Sequence, residues 1–161
     1  MQELVAGLVD LLGQQEALIK RLIDLGREEM KALKEEDLAS LTRLIAEQQD
    51  CSEKLGKLEQ ARVALQEKLA RHLGVAESEV TVSGLLPRAG QKREELAEVA
   101  ARLKASYAEL KELNETNRLL IRQALAYVNK VLAAWRAEAP VYDRDGRFQA
   151  AEEPSTLNTV V

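Results

Sequence analysis

Between Gln91 and Ala137 the sequence holds no glycine and no proline, the two residues that most readily break a helix. Over the same stretch two rows repeat every seven residues. One reads Leu96, Leu103, Leu110, Asn117, Ala124, Val131; the other reads Val99, Ser106, Leu113, Leu120, Tyr127, Ala134. A heptad repeat keeps one helix face turned toward a neighbour. At about 1.5 Å per residue the stretch makes a rod of roughly 70 Å. That is too long for a compact globule, so the rest of the chain must pack along it. The spacing predicts a helix over about 91–137 and an elongated all-α fold.

The preceding sequence supplies two partners. From Leu4 to Leu33 a broad apolar stripe contains Leu4, Leu11, Leu18 and Leu25 at seven-residue spacing, with Leu8 and Leu22 on the adjoining row. Such a wide stripe is core-facing, and it predicts a helix over about 2–34. The run KEED interrupts it, and Asp37 is placed to cap a second helix over about 37–73. That helix carries Leu41, Leu55 and Leu69 on one row and Leu44, Cys51, Leu58 and Leu65 on the other, with Gly74 at its end. Two arrangements are open for these helices, an antiparallel hairpin or one bent rod. Residues 75–90, VAESEVTVSGLLPRAG, break the period and read as a connector with one short helical turn near Leu85 and Leu86. Pro140 stops the third helix. The tail over 140–161 has no period and little capacity to bury itself, so it is expected to be flexible. The expected fold is an elongated antiparallel helical bundle or coiled coil of three long helices over 1–139, followed by that tail.

Composition narrows the function. The net charge of −4 argues against nucleic acid as the partner, because phosphate neutralisation needs a basic surface. No stretch approaches the ~18 apolar residues of a membrane span, and the start of the chain lacks a basic leader. A soluble cytoplasmic protein without direct membrane insertion is expected. Cys51 is the only cysteine, so no intrachain disulfide forms. His72 is the only histidine and reads as a helix-terminal or partly buried side chain. Position 69 is leucine, so His72 completes no Glu-x-x-His metal pair. It also lies about 30 Å from Cys51 along a straight helix, which leaves the thiol without a base. The acidic clusters Glu28-Glu29 and Glu35-Glu36-Asp37 read as solvated helix ends. Neither an enzyme nor a metal or cofactor carrier is expected.

Surfaces remain. Residues 112–132 read ELNETNRLLIRQALAYVNKVL and contain three of the four asparagines, Asn114, Asn117 and Asn129. Asparagine is unfavourable inside a helix, so these positions carry a purpose. Asn117 lies on the seam, where one polar residue fixes register. Asn114 and Asn129 border it and serve either the structure or a bound chain. Around the seam, Leu119, Ile121, Leu125, Val128, Leu132 and Trp135 widen the apolar face. A face this wide is buried on two sides of a bundle or left for a partner helix.

These residues carry a family likeness. The acidic turn EEDLASL, the second-helix pattern LGKLEQAR, the signature LNETNRLLIRQALAYVNKVL and the turn YDRDG resemble the FlgN family of flagellar type III export chaperones. The likeness covers nearly the whole chain. It implies binding of the amphipathic terminal helices of hook-associated (hook-filament junction) proteins, FlgK-like and FlgL-like. It also implies delivery to the cytoplasmic domain of the export-gate membrane protein, with premature assembly prevented. The expected substrate-binding residues are Leu113, Asn114, Asn117, Leu120, Ile121, Ala124, Tyr127, Val128 and Val131. The residue matched to export-gate docking is Tyr142. The competing expectation is a structural coiled coil that self-associates through the same face.

Overall fold

The computed structural model describes the backbone of residues 1–138, 141–142 and 148–149, and the side chains of residues 1–136. Four α-helices follow one another: α1 (Gln2–Glu35), α2 (Leu38–Leu73), the short α3 (Val82–Leu85) and α4 (Arg93–Glu138). Two-residue strands β1 (Val141–Tyr142) and β2 (Phe148–Gln149) pair antiparallel, with Val141 opposite Gln149 and Tyr142 opposite Phe148. The fold class is all-α, as the heptad pattern predicts. The rest of the 140–161 tail, and the side chain of Tyr142, lie outside the described residues. The chain divides into two compact units, Met1–Leu120 and Ile121–Val161.

In the first unit the choice left open by the sequence is resolved as a hairpin. Glu36 turns the chain at a left-handed φ of 57°, and the N–H of Asp37 donates to the carbonyl of Ala32 at 3.0 Å. Asp37 then caps α2, accepting from the backbone N–H of Ser40 at 3.1 Å and from its hydroxyl at 2.6 Å. These bonds satisfy orphan groups that a helix end otherwise leaves bare. Side-chain pairs run in opposite senses along the two helices: Gln15 with Glu59, Arg21 with Glu47 and Glu28 with Arg43. Helices α1 and α2 are therefore antiparallel. At the far end of α2, Gly74 takes the left-handed cap conformation at a φ of 68°.

The first part of α4 runs parallel to α1. Arg102 meets Glu16, Glu109 meets Arg27 and Asn117 meets Gly26, a nearly constant offset in sequence. The core joins α1 (Val5, Ile19), α2 (Leu69) and α4 (Leu96, Val99), all almost completely buried. Each side chain of this size stabilises by about 1.5–3 kcal/mol when fully buried. Cys51 belongs to a smaller cluster with Leu25, Ala32 and Leu44, the role of a small apolar residue.

The connector is more ordered than its broken period suggests. Short 3₁₀ turns cover Glu77–Glu79, Leu86–Arg88 and Gly90–Lys92 around α3. The Thr81 hydroxyl caps α3 by accepting from Gly84 N–H at 3.1 Å. Val80, Leu85 and Ala89 enter the main core, and Gln66 of α2 donates to the Glu77 carbonyl at 2.8 Å. Aperiodic apolar residues thus close the end of the helical core without needing a helix of their own.

Candidate protein-binding surface

Within the first unit, the asparagine on the seam is an internal fastener. Asn117 is 3% exposed. Its Nδ2 donates to the Gly26 carbonyl at 2.8 Å and to Glu29 Oε2 at 2.9 Å. The same Glu29 oxygen accepts from Gln48 of α2 at 3.1 Å. One carboxylate therefore links α1, α2 and α4. The Asn117 Oδ1 is buried with no partner among the described residues. Reversing the amide would set oxygen against both acceptors, so the orientation follows from the network. A half-satisfied amide is costly to bury, and it penalises any other register in which the two donors also lose their acceptors.

Gly26 makes this approach possible. A Cβ built there would lie 2.7 Å from Leu113 Cδ2 and 3.2 Å from its Cγ. Leu113 is partly buried against the main core. Leu113 and Asn117 thus meet α1, whereas Asn114 faces outward. It lines an open cleft of about 320 Å³ with Tyr107, Leu110, Lys111, Glu115 and Arg118. Burial pushes the Tyr107 hydroxyl above its ordinary pKa, with the nearby Glu59 carboxylate adding to the effect. Leu120 is half-buried and Leu119 is exposed.

A second polar contact supports the same packing. Glu16 is buried and accepts from Lys20 at 2.7 Å and from Arg102 of α4 at 3.1 Å. The Lys20 hydrogen bond holds its carboxyl below the usual range; burial opposes this and Arg102 reinforces it.

The second unit presents a different surface. Of the expected contact residues there, Ile121, Ala124, Tyr127 and Val128 are exposed and Val131 is half-buried. Three more large apolar side chains are exposed: Leu125 at 58%, Leu132 at 43% and Trp135 at 70%. The expected contact set omits these three, although they were part of the wide apolar face. The missed signal is their spacing. Ile121, Leu125, Val128, Leu132 and Trp135 alternate steps of four and three residues, one position out of phase with the seam rows. This is a second heptad stripe on an adjacent face of the same helix.

The chemistry of the remaining candidates is bland. Cys51 is buried, and His72 is exposed in the last turn of α2, where a basic side chain complements the helix dipole. Among the described residues no group of three His, Cys, Asp or Glu side chains is placed to hold a metal ion. No described helix is long and apolar enough to cross a membrane.

The first unit is a helical bundle tied together through Asn117, and the second unit carries an exposed apolar heptad stripe. The model of the family described as FlgN protein matches residues 1–149, and the chain belongs to the FlgN family. This is a family of flagellar export chaperones that bind hook-associated proteins. No curated protein and no solved structure matches the chain.

Proposed function

We propose that the protein acts in the cytoplasm as a chaperone for FlgK-like and FlgL-like hook-associated proteins. It holds their amphipathic terminal helices before export, prevents premature assembly and delivers them to the export gate. The observation that carries the reading is the exposed stripe Ile121, Leu125, Val128, Leu132 and Trp135, a row of large apolar side chains at the spacing of a helix-helix seam. A partner helix laid along it removes apolar area from water at about 25 cal/mol per Å², less the cost of ordering both partners. Ala124, Tyr127 and Val131 border the stripe and extend the contact. Leu113 and Asn117 contribute indirectly, by fixing the preceding part of α4 against α1. In this reading Tyr142 docks on the export gate.

Mixing the full-length protein with a purified FlgK-like protein tests the reading by co-elution on size exclusion. The wild-type pair co-elutes. Leu125→Asp or Val128→Asp, each at an exposed position, abolishes the complex and leaves the circular dichroism unchanged. An intact complex in both variants refutes the surface.

A further inference from the structure

The apolar stripe of the second unit has a charged edge. Arg122, Asn129 and Arg136 recur every seven residues, and all three are exposed. Arg122 lies three residues before Leu125, Asn129 four after it, and Arg136 four after Leu132. Residues three or four apart are surface neighbours on a helix, so the row runs along one flank of the stripe. No aspartate or glutamate occurs from Thr116 to Ala137, a stretch with four basic residues in a chain of net charge −4.

Several cations elsewhere in the molecule are placed differently. Lys20, Arg43, Lys54, Arg62 and Lys92 each pair with a carboxylate three or four residues away on their own helix. The corresponding neighbours of Arg122 are Arg118, Leu119, Leu125 and Ala126; those of Arg136 are Leu132, Ala133, Ala139 and Pro140. Three and four positions away, the helix offers neither arginine a carboxylate.

Resting on the reading of this face as the substrate-binding surface, we propose that the bound helix carries a row of carboxylates along one edge of its apolar stripe. Arg122 and Arg136 donate to that row. Guanidinium groups suit the role because they bind carboxylates through two parallel hydrogen bonds. The overall acidity of the chain does not prevent it, because charges farther than about 8 Å are screened at physiological ionic strength. The same row works against a second copy of this chain as the occupant. An antiparallel pair through this face sets arginine against arginine, and a parallel pair sets Asn129 against Ala124 and Arg136 against Val131.

Three synthetic 21-residue helices test the proposal against the full-length protein. They share one leucine stripe and carry Glu, Gln or Lys along the flanking row. Trp135 is the only tryptophan and sits on the stripe, so its emission reports binding. Affinity falls in the order Glu, Gln, Lys, with about tenfold between the extremes at physiological ionic strength, and the differences shrink at high salt. The double variant Arg122→Glu, Arg136→Glu inverts the order. Equal binding of all three peptides, each lost in Leu125→Asp, overturns the charge assignment and leaves the surface standing. Binding that survives in Leu125→Asp, or no binding of any peptide, overturns the surface and the assignment with it.

Discussion

Two alanine substitutions in α1 have the same chemistry and opposite expected signs. Replacing a helix-interior glycine by alanine favours the helix by roughly 1 kcal/mol. At Gly13 a new Cβ meets nothing within 4 Å, so Gly13→Ala retains most of that gain. At Gly26 the Cβ lies 2.7 Å from Leu113 Cδ2. Rotation of Leu113 about χ2 moves that methyl aside. It does not move Cγ, which is 3.2 Å away and shifts only if χ1 leaves its rotamer. The helices must separate by a few tenths of an ångström or Leu113 must leave its well; overpacking of this kind costs about 1–3 kcal/mol. Gly26→Ala is therefore neutral to about 2 kcal/mol destabilised, and the two variants differ by about 2 kcal/mol. Urea unfolding followed at 222 nm measures both. Leu113→Ala in the Gly26→Ala background restores space, so the double-mutant cycle gives a coupling of the favourable sign. If Gly26→Ala stabilises as much as Gly13→Ala, α1 and α4 do not approach as described.

Two further outcomes are expected. The Glu16 carboxyl is held below its ordinary value in the folded state, so its contribution is complete above about pH 4.3 and is lost as the pH falls through the lower folded value. Glu16→Gln therefore flattens the acid limb of the stability profile; an unchanged limb refutes the assignment. The effect is modest, because Lys20 and Arg102 remain 60% and 52% exposed. Tyr142→Ala weakens binding to the cytoplasmic domain of the export gate in a pull-down and spares the hook-associated complex; loss of both places the tail in the substrate site.

The long helices were legible because their signals are local and repeated. Heptad rows, the Asp37 cap and the Gly74 terminus each follow from a short window of sequence. The Asn117 register role was legible for the same reason, since a polar residue on an apolar row stands out. What it bonds to was not. Gly26 and Glu29 lie about ninety residues away in sequence, and no periodicity links them. By helix propensity alone Gly26 only weakens α1, whereas its missing Cβ is what admits Leu113. The connector was underestimated because Val80, Leu85 and Ala89 reach the core through turns that have no repeat to read.

The apolar excess on α4 was legible in the sequence. Within the second unit the expected contact set takes Ile121 and Val128 from one stripe and Ala124, Tyr127 and Val131 from the seam rows. Beyond Leu120 a second set of large side chains, Leu125, Val128, Leu132 and Trp135, lies one position after the seam rows, which continue through Ala124, Tyr127, Val131 and Ala134. Burial separates the two parts of the helix rather than the two rows: Asn117 on the seam is 3% exposed before Leu120, whereas beyond it Tyr127 on the seam and Leu125 on the second stripe are 68% and 58% exposed.

The central claim is that residues 121–136 of α4 receive the foreign helix. Amide hydrogen exchange of the full-length protein, with and without a saturating purified FlgK-like protein, tests it most directly. Binding slows exchange across residues 121–136 and leaves residues 38–52 of α2 unchanged. Unchanged exchange over 121–136 in a demonstrated complex would contradict it.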